Sequence, residues 1–151
     1  MGNIQNLNFD DGFMSFTLNG DPEKVIRFNP SDFGMINRIR DAYNAIDNAA
    51  EAVGDIEINS DGEAIGNLNG EADRLEIYKK EICKAIDEIF NSNISETAFG
   101  KQSPLSPVGR GIPLWQSFLE CIIPVVEKET GKRIEASQKK IQKYKSQVYH
   151  K

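Results

Sequence analysis

The sequence predicts a mainly α fold: a helical bundle with an N-terminal β-hairpin and a long basic C-terminal helix. Three observations carry this. Apolar residues recur at helical steps of three and four over most of the chain. Two short runs near the start are rich in strand formers and flank a turn sequence. The last twenty residues are thinly apolar and lysine-rich. At 151 residues the chain has the length of one ordinary domain. The expected organisation is a single domain over 1–151, with the hairpin within 1–28, a helical body over 29–131 and the basic helix over 132–151.

Phe13–Leu18 and Lys24–Phe28 read as the two strands, with Asn19-Gly20-Asp21-Pro22 between them. The spacing suggests a loop slightly longer than the tightest hairpin type. Asn29-Pro30-Ser31-Asp32 marks a helix start, with Ser31 or Asp32 able to accept free backbone N–H groups. Ile36, Ile39, Tyr43, Ile46, Ala50 and Val53 then form one stripe. A segment rich in Gly, Asn and Asp runs from Gly54 to Gly70. Leu75, Tyr78, Ile82, Ala85, Ile86 and Ile89 make the second stripe, ended by Phe90. Ser95 is placed to cap a single turn that closes at Gly100. Residues 100–113 hold three Pro and three Gly, which prohibits a long helix or an internal strand and predicts a surface loop. Pro113 opens a third long helix, with Trp115, Leu119, Ile122 and Val126 on its buried face and Phe118 beside them. Pro124 is expected to bend it and Gly131 to break it. Ile134, Ile141 and Val148 follow at seven-residue spacing.

The net charge is −5 but unevenly placed. Residues 132–151 carry Lys132, Arg133, Lys139, Lys140, Lys143, Lys145 and Lys151 against Glu135 alone, a net +6, so the other residues sum to −11. A basic helix on an acidic body suits an acidic partner, nucleic acid or the acidic face of a second copy. Lys139, Lys140 and Lys143 share one helical side and are the candidate docking charges. The acidic body repels a duplex and no base-reading motif accompanies the tail, so nucleic acid is the weaker reading.

Phosphate-binding, dinucleotide-binding and nucleophile-elbow motifs are absent from the sequence. His150 is the single histidine, at a position where catalytic geometry is hard to hold. Asp87 and Glu88 are sequence neighbours that point in different directions on a helix, and read as solvated surface. The acidic run Asp55–Gly62 fails the calcium-loop pattern in either register, because Leu68 or Ser60 stands where Glu or Gly is required. Cys83 and Cys121 read as buried free thiols, with a disulfide between them left open, and two Cys with one His do not supply a zinc site. No catalytic residue, metal or cofactor is therefore expected. The opening MGNIQNLNFDDGF has no signal-peptide character, and no apolar run reaches bilayer length, so the expected setting is cytoplasmic without membrane contact.

Trp115, Phe118, Leu105 and Val108 could form an apolar contact site, the last two because they sit in the Pro/Gly loop. Tyr43 and Ile82 are expected to line the same groove, which would hold a partner helix.

One resemblance adds to this. The segment FNPSDFGMINRIRDAYNAID, the run Cys83-Lys84-Ala85-Ile86-Asp87 leading to Phe90, the Phe99-Gly100 close and the loop followed by Phe118-Leu119-Glu120 resemble small tail assembly chaperones of bacteriophages and prophages of Gram-positive bacteria. The resemblance spans about residues 13–148. Asn91–Ser95 departs from the Gly-Glu-Gly-Thr type segment of many such proteins. The resemblance implies a non-catalytic protein of the bacterial host cytoplasm. It would bind the tape-measure protein, the tail tube protein or both during tail morphogenesis, with homo-oligomers possible. The rival readings are a structural tail-completion or connector protein and a nucleic-acid accessory protein.

Overall fold

The computed structural model describes residues 2–53 and 68–149, and the side chains of residues 2–52 and 70–140. Its elements are β1 (Met14–Leu18), β2 (Asp21–Phe28), α1 (Gly34–Val53), α2 (Leu68–Phe90), α3 (Ser95–Phe99), β3 (Pro107–Val108), β4 (Ile112–Pro113) and α4 (Leu114–Tyr149). The mainly α architecture with its leading hairpin and long final helix is the one the sequence predicts. The acidic run Asp55–Gly62, Val53's side chain and His150 lie outside the described residues.

β1 and β2 pair antiparallel through a two-residue turn, tighter than expected. Asn19 and Gly20 have φ of 52° and 74°. Such left-handed pairs match the twist of a hairpin, and Asn-Gly adopts them readily. The extra residues sit inside β2 instead. Thr17 pairs with Val25 and Leu18 with Asp21, leaving Pro22, Glu23 and Lys24 without partners in β1. Pro22 has no N–H for a ladder, so a bulge is where it is tolerated. The inner face presents Phe16, Leu18, Ile26 and Phe28 to the helices.

Asn29 fixes both sides of the junction that follows. Its Nδ2 donates to the Asp11 carbonyl at 3.3 Å, and its Oδ1 accepts from the N–H and hydroxyl of Ser31 at 3.0 and 3.1 Å. Gly12 has φ of 78°, and a Cβ there would lie 2.8 Å from Asn29 Nδ2. The entry to α1 is held by Asp32, whose Oδ1 accepts from the Gly34 N–H at 2.9 Å. Arg38 bonds the other Asp32 oxygen at 2.9 Å and donates through Nε to the Ile89 carbonyl at 2.7 Å. One guanidinium thus joins the start of α1 to the end of α2 and satisfies a carbonyl left over at that helix end. It also holds the Asp32 carboxyl below its ordinary pKa, with help from the Gly34 N–H.

The core face of α1 is Met35, Ile39, Ala42 and Ile46, with Tyr43 half-buried. Ile36, placed in the stripe from sequence, is 53% exposed. Stepping back from Ile39 by three or by four reaches an apolar residue either way, and the hairpin and the end of α2 take the Met35 side. On α2 the stripe holds from Tyr78 through Phe90, while Leu75 is 39% exposed.

Asp87 corrects the surface reading made from its sequence neighbours. Its Oδ1 accepts the N–H groups of Ile94 and Ser95 at 2.9 and 2.7 Å, and its Oδ2 accepts the Ser95 hydroxyl at 3.0 Å. Asn91, with φ of 52°, ends α2, and the Ser92 N–H returns to the Asp87 carbonyl at 3.2 Å. This is the left-handed helix stop that Asn can adopt. The turn brings the start of α3 back onto the last turn of α2, so Asp87 performs the capping expected of Ser95, which is itself buried.

The Pro/Gly loop is more ordered than expected. It contains the small antiparallel pair β3–β4, limited to Pro107 opposite Pro113 and Val108 opposite Ile112. Prolines at one end of that ladder donate no bonds to it, which keeps it short. Pro104 is fully buried, and its carbonyl accepts the Trp115 N–H at 3.0 Å, while Ser106 accepts the Leu114 N–H at 2.9 Å. These two carbonyls satisfy the first donors of α4, which begins one residue after Pro113. Trp115, Leu119, Ile122 and Val126 face inward as expected. The helix continues unbroken through Gly131. A glycine costs a helix interior only about 1 kcal/mol, too little to stop one already formed.

The core is stitched by aromatic contacts. Phe16 stacks on Phe28 at 5.1 Å, Phe28 meets Phe90 edge-on at 5.0 Å, and Phe118 contacts Phe90 and Phe99 at 6.1 and 5.8 Å. Each such pair adds about 1 kcal/mol beyond the area it buries.

Candidate protein-binding surfaces

The sequence-derived groove residues converge, but in the interior. Ile82 is 0% exposed and Trp115 7%. Tyr43 meets the Trp115 ring edge-on at 5.6 Å, and Phe118 lies between Phe90 and Phe99. The expected partner groove is therefore filled by the chain's own side chains, because α1, α2, α4 and the hairpin close on one another there. Burial raises the Tyr43 hydroxyl above its ordinary pKa, with Glu120 adding to the shift. Trp115 Nε1 is buried without an acceptor among the described residues. Leu105 packs half-buried against the core, and Val108 is half-buried in the short strand β3. Neither joins Tyr43 and Ile82 in an open site.

Of the candidate docking lysines, Lys139 and Lys140 are exposed on α4, and Lys139 pairs with Glu135 at 3.3 Å. Lys143 falls on the helix beyond the described side chains. Residues 131–140 are all exposed, whereas Thr130 still touches the body, donating to the Pro30 carbonyl at 3.3 Å. The last part of α4 therefore projects.

The apolar surface actually offered lies elsewhere. In the segment preceding β1, Ile4, Leu7 and Phe9 are 101%, 85% and 81% exposed. That segment has no helix or strand of its own, yet its root is fixed. Asp10 and Asp11 accept the N–H groups two residues on, Asn29 holds the Asp11 carbonyl, and Arg27 pairs with Asp11 at 3.7 Å. Arg27 also covers the Phe13 ring at 4.8 Å. Phe33 and Ile36 are exposed at the start of α1. In the sequence Ile4, Leu7 and Phe9 match neither helix nor strand period, so no regular spacing marks them.

Cys83 is half-buried and Cys121 exposed, both as free thiols, so the second is not the buried thiol expected. Burial pushes the Cys83 thiol up, away from the reactive thiolate. Among the described residues no group of three His, Cys, Asp or Glu could hold a metal ion, and no helix is long and apolar enough to cross a membrane. No protein-family model, curated protein or solved structure matches the chain.

Proposed function

We propose that this chain is a non-catalytic tail assembly chaperone of a phage or prophage. It would bind the tape-measure protein, the tail tube protein or both in the bacterial host cytoplasm. The observation that carries the binding role is the rooted leading segment, whose Ile4, Leu7 and Phe9 are held in water beside a well-filled core. Burying three such side chains on a partner is worth roughly 1.5–3 kcal/mol each, before the cost of ordering the segment. Extended segments of this kind are recognised through alternate side chains seated in a partner's pockets or along a sheet edge. A tape-measure protein with long apolar helical faces would offer such side chains hollows between its own. The assignment to tail assembly draws on the resemblance of residues 13–148. In this reading the core stays closed and the outer apolar residues make the contact, in place of an internal groove.

Co-expression with the tape-measure protein, followed by affinity capture at low and moderate salt, tests the proposal. Retention is expected, and its loss in an Ile4→Ser, Leu7→Ser, Phe9→Ser variant is expected with it. Absence of capture by the unaltered chain counts against the chaperone reading. Recovery of the chain from purified particles by mass spectrometry would favour a structural tail-completion or connector role instead. The projecting basic end of α4 favours one further reading, a nucleic-acid accessory role, and a gel shift that weakens steeply with salt would support it.

A further inference from the structure

We propose that β1 pairs along its free edge with β1 of a second copy, antiparallel across a two-fold axis, so that two hairpins join into one four-stranded sheet. The pairing does not rest on the tail-assembly reading.

The hairpin is a two-stranded sheet with two edges, and the edges are unlike. β2 carries Pro22, the bulge, Glu23 and Lys24, and α3 lies against that strand. Proline, bulges and charged side chains are means by which proteins keep a strand edge from pairing further. β1 is Met-Ser-Phe-Thr-Leu, with no charge and no proline, and the extra residues of the bulge are not on it. Among the described residues no backbone group outside β2 bonds the backbone of Met14–Leu18, so its outward N–H and C=O groups remain open to another strand. The apolar layer is also unfinished on this side. Ile26 and Phe28 of β2 are 1% and 3% exposed, whereas Phe16 and Leu18 are half-buried and Met14 is 37% exposed.

The sequence of β1 fits itself. Antiparallel strands that keep their faces pair residues an even number apart, and the register centred on Phe16 is the one that uses all five residues. It sets Phe16 opposite Phe16, Met14 opposite Leu18 and Ser15 opposite Thr17. Apolar side chains then meet on the core face and hydroxyls on the outer face, and no charge meets a like charge. Aromatic pairs and Ser/Thr pairs are among those that stabilise sheets. The same register fills a hollow. A space of about 170 Å³ opens beside the end of β1, walled by Leu18, by Ala98 and Phe99 of α3 and by Leu114, Phe118 and Cys121 of α4, with no β2 residue in the wall. The partner's Met14, opposite Leu18, stands at its mouth, and an unbranched thioether side chain adapts to such a space. The two-fold axis uses each Met14 and each hollow once, as a self-complementary interface must.

Sedimentation of the full chain across a concentration series tests this, with circular dichroism to follow the fold. A monomer–dimer equilibrium is expected. It should persist at about 1 M salt, where the Debye length is about 3 Å, because no charge takes part. Met14, Ser15 and Thr17 are exposed, so substitutions there should leave the spectrum unchanged. Ser15→Glu with Thr17→Glu sets like charges opposite one another twice and should weaken the dimer about tenfold. Ser15→Glu with Thr17→Lys adds as many charges but sets Glu opposite Lys, and should keep the dimer. Met14→Ala leaves the hollow empty and should weaken the dimer about tenfold. A chain that is monomeric throughout, a dimer that dissolves in salt, a dimer indifferent to the two Glu substitutions or to Met14→Ala, or one lost equally in the Glu and Lys variant overturns the proposal.

Discussion

Asp87 shows how much one side chain can settle. It accepts two backbone N–H groups and a hydroxyl at the α2–α3 junction. Asp87→Ala leaves all three donors without that partner, and should lower stability by about 1–2 kcal/mol in urea unfolding. Asp87→Asn keeps one carbonyl acceptor for Ile94 and Ser95 and should recover part of the loss. Its role was not legible in sequence, because the bonds cross a chain reversal that no helical spacing reveals. Asp32 leads to a pH prediction. Its folded pKa lies below the usual carboxyl value of about 4, through Arg38 first and the Gly34 N–H second. A depressed folded pKa gives stability that is present in full above the unfolded value and is lost as pH falls through the folded one. Thermal melts should therefore show a decline below about pH 4 that is shallower in Arg38→Met. An equal slope in both proteins would remove Arg38 as the cause.

At the level of elements, the helices and the hairpin were readable because their apolar residues recur with the right period. The phase of a stripe was less readable. α1 carries Met35 and Ile36 side by side, and both continue the pattern from Ile39. Only the tertiary neighbours decide, and they bury Met35 to 1% while leaving Ile36 at 53%. Met35→Ala should cost about 2–5 kcal/mol and Ile36→Ala within about 0.5 kcal/mol, measured by chemical denaturation. A larger cost at Ile36 than at Met35 would restore the phase read from the sequence. The hairpin turn follows the same logic. Asn19-Gly20 dictated a two-residue connection, while Pro22 pushed the irregularity into β2, where a count of intervening residues could not place it.

For the whole molecule, the distribution of apolar surface matters more than its total. Tyr43, Ile82, Trp115 and Phe118, expected to line a partner groove, are large and apolar, and those same properties place them in or against the core. Ile4, Leu7 and Phe9, the most exposed large apolar side chains among the described residues, follow neither helical nor strand period. Removing residues 2–9 should leave the unfolding transition essentially unchanged, since their side chains touch little of the body, while abolishing capture of the partner protein. A large loss of stability on that deletion would make the segment a structural strap. The charge asymmetry, by contrast, was legible from composition alone; what folding adds is that its basic part lies on the exposed end of α4, beyond the contact of Thr130 with Pro30.

The chain's single tryptophan is the buried Trp115, seated against Tyr43 at the junction of α1 and α4. Its fluorescence is thus a built-in gauge of whether the interior stays shut. A ligand settling on the outside should leave the emission maximum in the blue. Any encounter that pries the helices apart should wet the indole and move its light toward the red, so one cuvette measurement distinguishes clasping from opening.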